Sequence, residues 1–500
     1  MRQLTALDAQ FLAMESGRTY GHVGGLAIYD PSTAPGGKVD RKDLCRMVGE
    51  RLHMLPPFKW KLTEVPFGLD HPYWIDDPDF DINYHIRESA IPPPGDDRQL
   101  ADVVGRIFAR PLDRTRPLWT LYLIHGLPDG KVAMLTKVHH SAVDGMSGAE
   151  IMGVLLDITP EGPELPPVPK TTGPDRRPSQ LEMLGRGIAG IPMQPLRALR
   201  SLPATVPNLT KFPGIALLPG APAVTRAAAR LTGNRDGGIL ETRTARAPRL
   251  SFNGKVSPHR SFAFGSVDLA RVKAIKNELG IKVNDVVVAL CATGLRSWLI
   301  DRGELPDEPL TALIPVSVRT DEEAGTYGNR VSGMIVPIPT DIADPRERLM
   351  HAHETMVLAK QDHEGLPASL MTDASNFIPP ALHSRGARVA AEVMGRMRPP
   401  LNVVISNVPG PPVSLYCAGA ELQANFPVSV ITDGVGLNIT LMSYKDHVDF
   451  GIIGDGDACP DLWPLLEKMQ SALDELDSVV CGKKKTKGGT PKKRPSPQPA

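Results

Sequence analysis

The chain has 500 residues, which is enough for two domains with substantial hydrophobic cores. Its 56 basic and 56 acidic side chains balance to a formal net charge of zero, and nothing in this balance indicates a nucleic-acid partner. The hydrophobic and charged fractions, 41% and 22%, are those of a globular protein and exclude a wholly disordered, collagen-like or coiled-coil chain.

The N-terminus lacks the basic segment, apolar core and small-residue cleavage site of a secretory signal. No uninterrupted apolar run approaches the roughly 18 residues needed to span a bilayer. The five cysteines are scattered without CxxC or zinc spacing, so we expect free thiols in a reducing compartment. These features predict a cytoplasmic protein, or one bound to a membrane surface from that side.

The first 160 residues predict a domain that alternates helices and strands. Apolar residues at roughly helical spacing over 4–14, followed by Gly17, predict a short opening helix. Period-two patterns and buried apolar runs predict strands, and capped amphipathic segments predict helices. The predicted strands cover 22–29, 71–75, 117–124 and 132–138, and the further helices cover 39–55, 99–108 and 151–158.

A polar cluster, HHSAVDG, follows the apolar run 132–138 directly. It precedes a capping-box signature, so His139, His140, Asp144 and Gly145 are predicted to lie on a strand-to-helix loop. A histidine titrates near neutrality and can accept a proton from an attacking hydroxyl. The Asp could orient the imidazole or hold the loop through a distant Arg, and Gly145 would allow a sharp turn. The alternative is a strand-end histidine pair that satisfies local hydrogen bonds.

The segment 161–258 is rich in proline and predicts long irregular connections. Between residues 178 and 233 its charged residues are six basic side chains and one acidic side chain, with apolar stretches among them. Such a composition is typical of a segment on an anionic membrane or lipid-droplet surface. An inter-domain linker that packs across both lobes explains it equally well.

A second domain is predicted over 259–481, followed by a basic, disordered tail at 482–500. Asn284 or Asp285 is predicted to cap a helix, and Arg319, at the end of a buried strand, is a candidate ionic partner for Asp144 unless it is exposed and silent. We predict no metal site. The predicted helices cover 268–279, 286–299, 345–360 and 461–480, and the strands cover 310–318, 331–337, 401–411, 426–432, 436–444 and 447–453.

The cluster HHSAVDG resembles the HHxxxDG signature of the coenzyme-A-dependent acyltransferase superfamily, which condensation domains of peptide synthetases share. More narrowly, the chain is similar to the bacterial wax ester synthase/diacylglycerol acyltransferase family. Further stretches that carry this resemblance run in the family's order. They are LTALDAQFLAMES (4–16), HVGGLAIYD (22–30), RPLW (116–119), NDVVVAL (284–290), PVSVR (315–319), GNR (328–330) and SNVPGP (406–411).

The resemblance implies an α/β (α+β) fold of two chloramphenicol-acetyltransferase-like lobes, with mixed sheets flanked by helices and an active-site tunnel between them. It implies that acyl-CoA enters the tunnel from one face and the acceptor from the other, with the catalytic His midway. No cofactor is expected besides acyl-CoA as co-substrate. The division is then 1–160 for the lobe with HHxxxDG, 161–258 for the linker and 259–481 for the second lobe.

The resemblance implies an O-acyltransferase that moves a long-chain acyl group to a lipid hydroxyl. His140 would be the general base, while His139, Asp144 and Gly145 shape and hold its loop. Asn284 and Asp285 match a family motif near the active site, and Ser406 or Asn407 is a candidate donor to the oxyanion.

Diacylglycerol is the expected acceptor and triacylglycerol the product, with a fatty alcohol and a wax ester as the alternative. A non-catalytic lipid-associated protein that keeps the fold is a second possibility, and the intact motif argues against it. A condensation domain acting on carrier-protein thioesters is a third, but no carrier module is visible in the sequence.

Overall fold

The computed structural model of the chain describes residues 1–143, 148–168, 176, 178–190, 247–317, 331–364, 399 and 401–482. We number the helices and strands of these residues in chain order. The helices are α1 (Ala6–Ala13), α2 (Arg41–Arg51), α3 (Ile82–His85), α4 (Asp97–Phe108), α5 (Gly148–Leu155), α6 (Gln180–Gly190), α7 (Leu269–Leu279), α8 (Val283–Asp301), α9 (Pro345–Glu364) and α10 (Trp463–Val480). The strands are β1 (Arg2–Gln3), β2 (His22–Asp30), β3 (Trp60–Thr63), β4 (Tyr73–Asp76), β5 (Ile86–Ala90), β6 (Trp119–His125), β7 (Val132–His139), β8 (Arg260–Asp268), β9 (Leu310–Ser317), β10 (Val331–Ile338), β11 (Val403–Val408), β12 (Tyr416–Cys417), β13 (Ala420–Val428), β14 (Leu437–Tyr444) and β15 (His447–Asp455).

The described strands form three sheets. A small sheet has the order β1-β4-β3, the first large sheet has the order β12-β13-β2-β7-β6-β5, and the second has the order β10-β9-β11-β14-β15-β8. Both large sheets are mixed, because β5 runs parallel to β6 and β11 runs parallel to β9 and β14. The predicted fold of mixed sheets flanked by helices is confirmed.

The strand that leads to the histidine pair is buried on both faces. Along β7, Val132 and Met134 pack into one hydrophobic cluster with residues of α2. The alternate residues Ala133 and Leu135 pack into another cluster with residues of α4 and β8. Successive side chains of a strand point to opposite faces, so burial on both faces explains why the run is continuously apolar. The rigid strand fixes the backbone position of the residues that follow it.

The first large sheet contains two strands from the second half of the chain. β13 pairs with β2, and Phe426 lies opposite Leu26 in that register. The chain then enters the second sheet with β14. The predicted lobe limits remain a prediction, but residues 416–428 belong to the first sheet. The predicted strand 426–432 is wrong in its bounds, because β13 begins six residues earlier and ends at Val428.

An ion pair on β15, between the half-buried His447 and the buried Asp449, connects the two large sheets. His447 Nδ1 lies 2.9 Å from Asp449 Oδ1, and His447 Nε2 lies 3.1 Å from the Gln423 carbonyl oxygen on β13. The other carboxylate oxygen of Asp449 accepts a hydrogen bond of 2.8 Å from the Asn425 amide, also on β13. The contact with Asp449 raises the pKa of His447, outweighing burial, which lowers it. A protonated imidazole can donate at both positions.

We expect His447→Gln to lower the free energy of unfolding by about 2 kcal/mol in mildly acidic solution, because it removes a charged partner of Asp449. The folded-state pKa of His447 is raised, so its contribution is fully present below the ordinary value of 6.5 and is lost as pH rises through the folded-state pKa. Urea denaturation of both proteins across this range tests the prediction. A stability difference that grows with increasing pH would contradict it.

The helix α8 is long and apolar enough to cross a membrane by length and composition, but it lies in the core of the second lobe. Leu290, Cys291 and Leu295 on this helix are fully buried against the second sheet and its neighbouring helices. Its apolar composition is therefore that of a central core helix.

Candidate functional site

The histidine pair lies where β7 ends. The backbone N–H of His139 donates to the Leu118 carbonyl oxygen at 2.9 Å, and that of His140 donates to the Gly21 carbonyl oxygen at 2.7 Å. A turn follows at once, closed by a 2.9 Å hydrogen bond from the Ala142 N–H to the His139 carbonyl oxygen. The two histidines are thus held by the residues that directly precede β6 and β2. The predicted loop placement is wrong for His139, which is the last residue of β7, and right for His140, which follows the strand.

His139 is buried and its ring is fixed. Its Nδ1 accepts a 3.1 Å hydrogen bond from the Ser141 backbone N–H and lies 2.6 Å from Ser141 Oγ. Because Nδ1 accepts this hydrogen bond, a neutral ring carries its hydrogen on Nε2. His139 Nε2 lies 3.0 Å from Glu15 Oε1, in an electrostatic contact whose N–H does not point straight at the oxygen.

Glu15, two residues after the last residue of α1, is the acidic residue of this site. Its carboxylate accepts hydrogen bonds from Arg114 at 2.7 Å and from the Gly21 N–H at 3.0 Å. It also lies 3.6 Å from His22. Burial raises the pKa of Glu15, but His139, Arg114 and the Gly21 amide outweigh burial and lower the pKa to about 2. Glu15 is therefore ionised at neutral pH and orients the His139 ring.

The backbone at Gly21 has to approach His139 closely. A Cβ atom at Gly21 would lie 2.9 Å from His139 Nε2. This is closer than van der Waals contact allows, so glycine is required to place the peptide between Glu15 and the ring.

The His140 ring faces an aromatic side chain. It is half-buried and stacks on Phe11 of α1, with ring centroids 4.1 Å apart and an angle of 14° between the planes. Offset and stacked aromatic contacts restrict ring orientation at a small free-energy gain. The His139 ring is therefore held by Glu15 and Ser141, whereas His140 is held by its backbone hydrogen bond and by the face of the Phe11 ring. A neutral imidazole in that position can accept a proton.

Two further basic groups are buried beside the pair. Lys137 Nζ donates to the carbonyl oxygens of Ile107 and Arg110 near the end of α4, and burial lowers the pKa of Lys137 to about 7. Burial lowers the pKa of His22 well below its usual value, and the nearby Lys137 lowers it further. His22 is thus held neutral, and Glu15 is the anion of the group.

Three predicted residues lie outside the described residues. They are Asp144, Gly145 and Arg319. Their predicted roles, including the ion pair between Asp144 and Arg319, stay predictions.

The second lobe brings two of the predicted pocket residues together. Asn407, at the end of β11, donates from its side-chain amide to Asn284 Oδ1 at 3.2 Å. Ser406, its neighbour on β11, is half-buried and lies opposite Thr440 in the sheet. The roles of these residues as a substrate pocket stay a prediction.

The predicted N-cap of α8, Asn284 or Asp285, is wrong by two or three residues. α8 begins at Val283, and Lys282 is the N-cap. Asp285 lies in the first turn, where its carboxylate accepts a 3.0 Å hydrogen bond from the Lys282 N–H, as an acidic group near a helix N-terminus does. The same buried carboxylate lies 2.7 Å from His353 Nδ1 on α9. Asn284 instead contacts β11.

Sequence reasoning missed Glu15 and Phe11 as site residues. Both lie in the stretch 4–16 that carries the resemblance, and Glu15 is an acidic residue that directly follows the apolar run 11–14. The contrast between this acidic residue and the apolar residues before it could have indicated a functional side chain. Among the described residues, no group of three His, Cys, Asp or Glu side chains is placed to hold a metal ion.

Two family models match the chain. The model for the wax ester synthase/diacylglycerol acyltransferase catalytic domain matches residues 4–287, and the model for the WS/DGAT C-terminal domain matches residues 327–477. A putative diacylglycerol O-acyltransferase of Mycobacterium tuberculosis strain CDC 1551 is 34% identical over 477 residues, covering 95% of this chain and 90% of the relative. A probable diacylglycerol O-acyltransferase of strain H37Rv is 35% identical over 481 residues, covering 95% and 98%.

Similar solved structures support the same family and the same fold. The wax ester synthase/diacylglycerol acyltransferase from Marinobacter aquaeolei VT8 matches with a TM-score of 0.67 at 30% identity, covering 96% of this chain and 100% of that one. The first condensation domain of the CDA synthetase shares the fold, with a TM-score of 0.53 at 15% identity and 96% coverage of both chains. Two-lobed architecture, family models and relatives agree: the chain is an acyltransferase that belongs to the wax ester synthase/diacylglycerol acyltransferase family.

Proposed function

We propose that the protein transfers a long-chain acyl group from acyl-CoA to the free hydroxyl of diacylglycerol and so forms triacylglycerol. The observation that carries the proposal is the half-buried His140 ring beside a His139 ring fixed by Glu15 and Ser141. A general base works when its position and protonation state are set before the substrate arrives.

In the proposed reaction, His140 accepts the hydroxyl proton while the hydroxyl oxygen attacks the thioester carbonyl carbon. The carbon–sulfur bond then breaks, and the leaving sulfur takes the proton from the imidazolium. The products are an ester and free coenzyme A, and His140 is neutral again. Binding both substrates beside one base supplies the positioning, so acyl-CoA is the co-substrate and no further cofactor is needed.

The second lobe supplies the candidate donors to the oxyanion. In the proposal, the Ser406 hydroxyl or the Asn407 amide stabilises the negative charge that develops on the thioester oxygen. Asn407 already donates one hydrogen to Asn284, and its amide has a second. Asn284 therefore orients the donor in this proposal. Asp144 and Gly145 hold and shape the loop after His140.

The names of the relatives favour diacylglycerol as the acceptor, since both mycobacterial relatives are named diacylglycerol O-acyltransferases. The name of the Marinobacter protein keeps a fatty alcohol as the second candidate, with a wax ester as product. Both acceptors are lipids. We therefore also propose that the protein works at the cytoplasmic surface of the inner membrane or on lipid droplets.

Ester formation by the purified full chain tests the proposal. Radiolabelled palmitoyl-CoA is offered with diacylglycerol, with hexadecanol, and with both in equal amounts, and the labelled lipids are separated by chromatography. We expect triacylglycerol to dominate in the competition. Predominant wax ester would replace the proposed acceptor. An absence of ester with either acceptor, while the protein binds lipid, would favour the non-catalytic alternative.

The stacking of Phe11 on His140 gives a further prediction. Replacing Phe11 by Leu should lower kcat about fivefold, because the ring that restricts His140 is lost while apolar volume is kept. Phe11→Tyr retains an aromatic ring and serves as the matched control, which should stay within about twofold of the wild type. Equal rates for the Leu and Tyr variants would contradict a role for the ring face.

A further inference from the structure

The loop between α1 and β2, residues 14–21, carries groups that hold both histidines. Near its start, the Glu15 carboxylate lies 3.0 Å from the His139 ring. At its end, Gly21 donates its N–H to this carboxylate, and its carbonyl oxygen accepts the backbone N–H of His140. The position of the α1–β2 loop therefore affects the position of both rings.

Hydrogen bonds within the α1–β2 loop make it a compact unit. The Ser16 N–H donates to the Thr19 carbonyl oxygen at 3.0 Å, and the hydroxyl oxygens of these two residues lie 2.8 Å apart. The Thr19 hydroxyl donates to the Met14 carbonyl oxygen at 3.0 Å. The Tyr20 hydroxyl donates to the Gly17 carbonyl oxygen, also at 3.0 Å. A displacement in the middle of the loop is therefore passed on to both of its ends.

A guanidinium group of the second lobe reaches the middle of this loop. Arg260 is the first residue of β8, in the second large sheet. Its Nη1 donates to the carbonyl oxygens of Ser257 at 2.7 Å and His259 at 2.8 Å. Its Nη2 donates to the Arg18 carbonyl oxygen, and its guanidinium lies over the Tyr20 ring, 5.8 Å from the ring centroid. The two bonds to its own segment fix the planar group, so its other nitrogen is held against the loop.

Two further contacts extend this connection. Arg18 Nη2 lies 3.9 Å from Asp433 Oδ2, and the Asp433 carboxylate is itself held by a 2.9 Å hydrogen bond from the Val256 N–H. The Tyr20 ring stacks on the buried His22 ring, with centroids 5.4 Å apart and an angle of 4° between the planes. The second half of the chain therefore contacts both the backbone and the side chains of the loop.

We infer that Arg260 is a positioning residue for acyl transfer, which acts through the α1–β2 loop and not on the substrate. By holding the Arg18 carbonyl oxygen and the Tyr20 ring, it fixes the loop on which the placement of both histidines depends. The histidines belong to the first lobe, but their support is complete only when the second lobe is in place. The inference rests on the proposed role of His140 as the general base.

Steady-state kinetics of two variants test the inference. Arg260→Met keeps an unbranched side chain but removes every donor, so kcat should fall about fivefold because the histidines are less well placed. The KM for palmitoyl-CoA should stay within about twofold of the wild type, because ground-state binding is not altered. Arg260→Lys keeps a charged donor for the Arg18 carbonyl oxygen and should restore kcat to within about twofold of the wild type.

The matched control is Arg98→Met, which removes another arginine that connects the two lobes. Arg98 lies on α4, 3.4 Å from Asp461 and 5.3 Å from the ring centroid of Trp463 on α10. These contacts lie outside the α1–β2 loop. We expect this variant to keep the wild-type kcat, and both methionine variants to keep the wild-type Tm.

Hydrogen exchange, followed by mass spectrometry of the full chain without substrate, measures the loop directly. In Arg260→Met, peptides that cover 14–22 and 139–142 should exchange at least about threefold faster. The reason is that the Gly21 and His140 N–H groups, which are hydrogen-bonded in the folded protein, open more often when the loop is less firmly held. Arg98→Met should leave both peptides at the wild-type rate.

Unchanged exchange in these peptides, or an unchanged kcat, in Arg260→Met would overturn the inference. Equal effects in the two methionine variants would also overturn it, because they would come from a general loosening of the lobes. So would a fall in Tm with faster exchange throughout both lobes, since Arg260 would then be a structural residue. If the wild type forms no ester, the proposed function fails, and exchange in the two peptides still decides whether Arg260 holds the loop.

Discussion

Replacing His140 by alanine should lower ester formation from acyl-CoA by at least about a hundredfold, because the variant lacks the proposed general base. The fold should be unaffected, since the backbone N–H that donates to Gly21 remains and the ring is only half-buried. Release of free thiol from palmitoyl-CoA in the presence of diacylglycerol measures the rate. Thermal unfolding measures the fold.

The matched control for this variant is His259→Ala, which removes an exposed histidine whose ring lies 2.9 Å from Asp457. It should keep the wild-type rate. If His140→Ala retains a third or more of the wild-type rate with an unchanged Tm, another group acts as the base. A parallel fall in rate and Tm would show instead that the side chain is structural.

Glu15→Gln should lower both the stability and the rate. The pKa of Glu15 is about 2 in the folded protein, against an ordinary value of 4.5, which corresponds to about 3 kcal/mol of stability at neutral pH. Because the folded-state pKa is lowered, this contribution is present above pH 4.5 and is lost as pH falls toward 2. The variant should also lose about tenfold in kcat, since a neutral amide holds the protonated Nε2 of His139 less firmly.

Urea denaturation between neutral pH and pH 3 tests the stability part, and the difference between the two proteins should shrink as pH falls. The matched control is Glu64→Gln, because Glu64 lies 4.0 Å from the same Arg114 but is 70% exposed. This control should change stability by less than about 1 kcal/mol and leave the rate unchanged. A constant stability difference across the pH range would show that shape, and not charge, explains the effect of Glu15.

The sequence predicted those elements whose local pattern agrees with their final environment. α7 ends at Gly280 as expected, in a left-handed conformation, and β7 ends at the histidine pair. β5 was missed because its alternation of polar and apolar residues is short and interrupted. β13 was misplaced because its first half, AELQ, contains two polar residues and pairs with β2, a strand from the other half of the chain.

The part of the site that could be predicted is the HHxxxDG motif, because its residues lie close together in the sequence. His139 ends β7 and His140 follows it, and their position near the end of a strand could be inferred from the apolar run before them. The contact between His139 and Glu15 could not be inferred from the sequence. Glu15 reaches the His139 ring only after β2 has paired with β7, and this pairing places His22 opposite His139. The contact between Asn407 and Asn284 likewise depends on the packing of β11 against α8.

β12 and β13 belong to the first large sheet although they lie late in the sequence, and this order has a consequence for synthesis of the chain on the ribosome. Until residue 428 has emerged, the edge of β2 has no partner strand, and the first sheet is incomplete although its other strands are already available. An unpaired edge of this kind can pair with another nascent chain or be bound by a chaperone. A gene split within the linker would therefore yield two fragments that must find each other before the first sheet is complete.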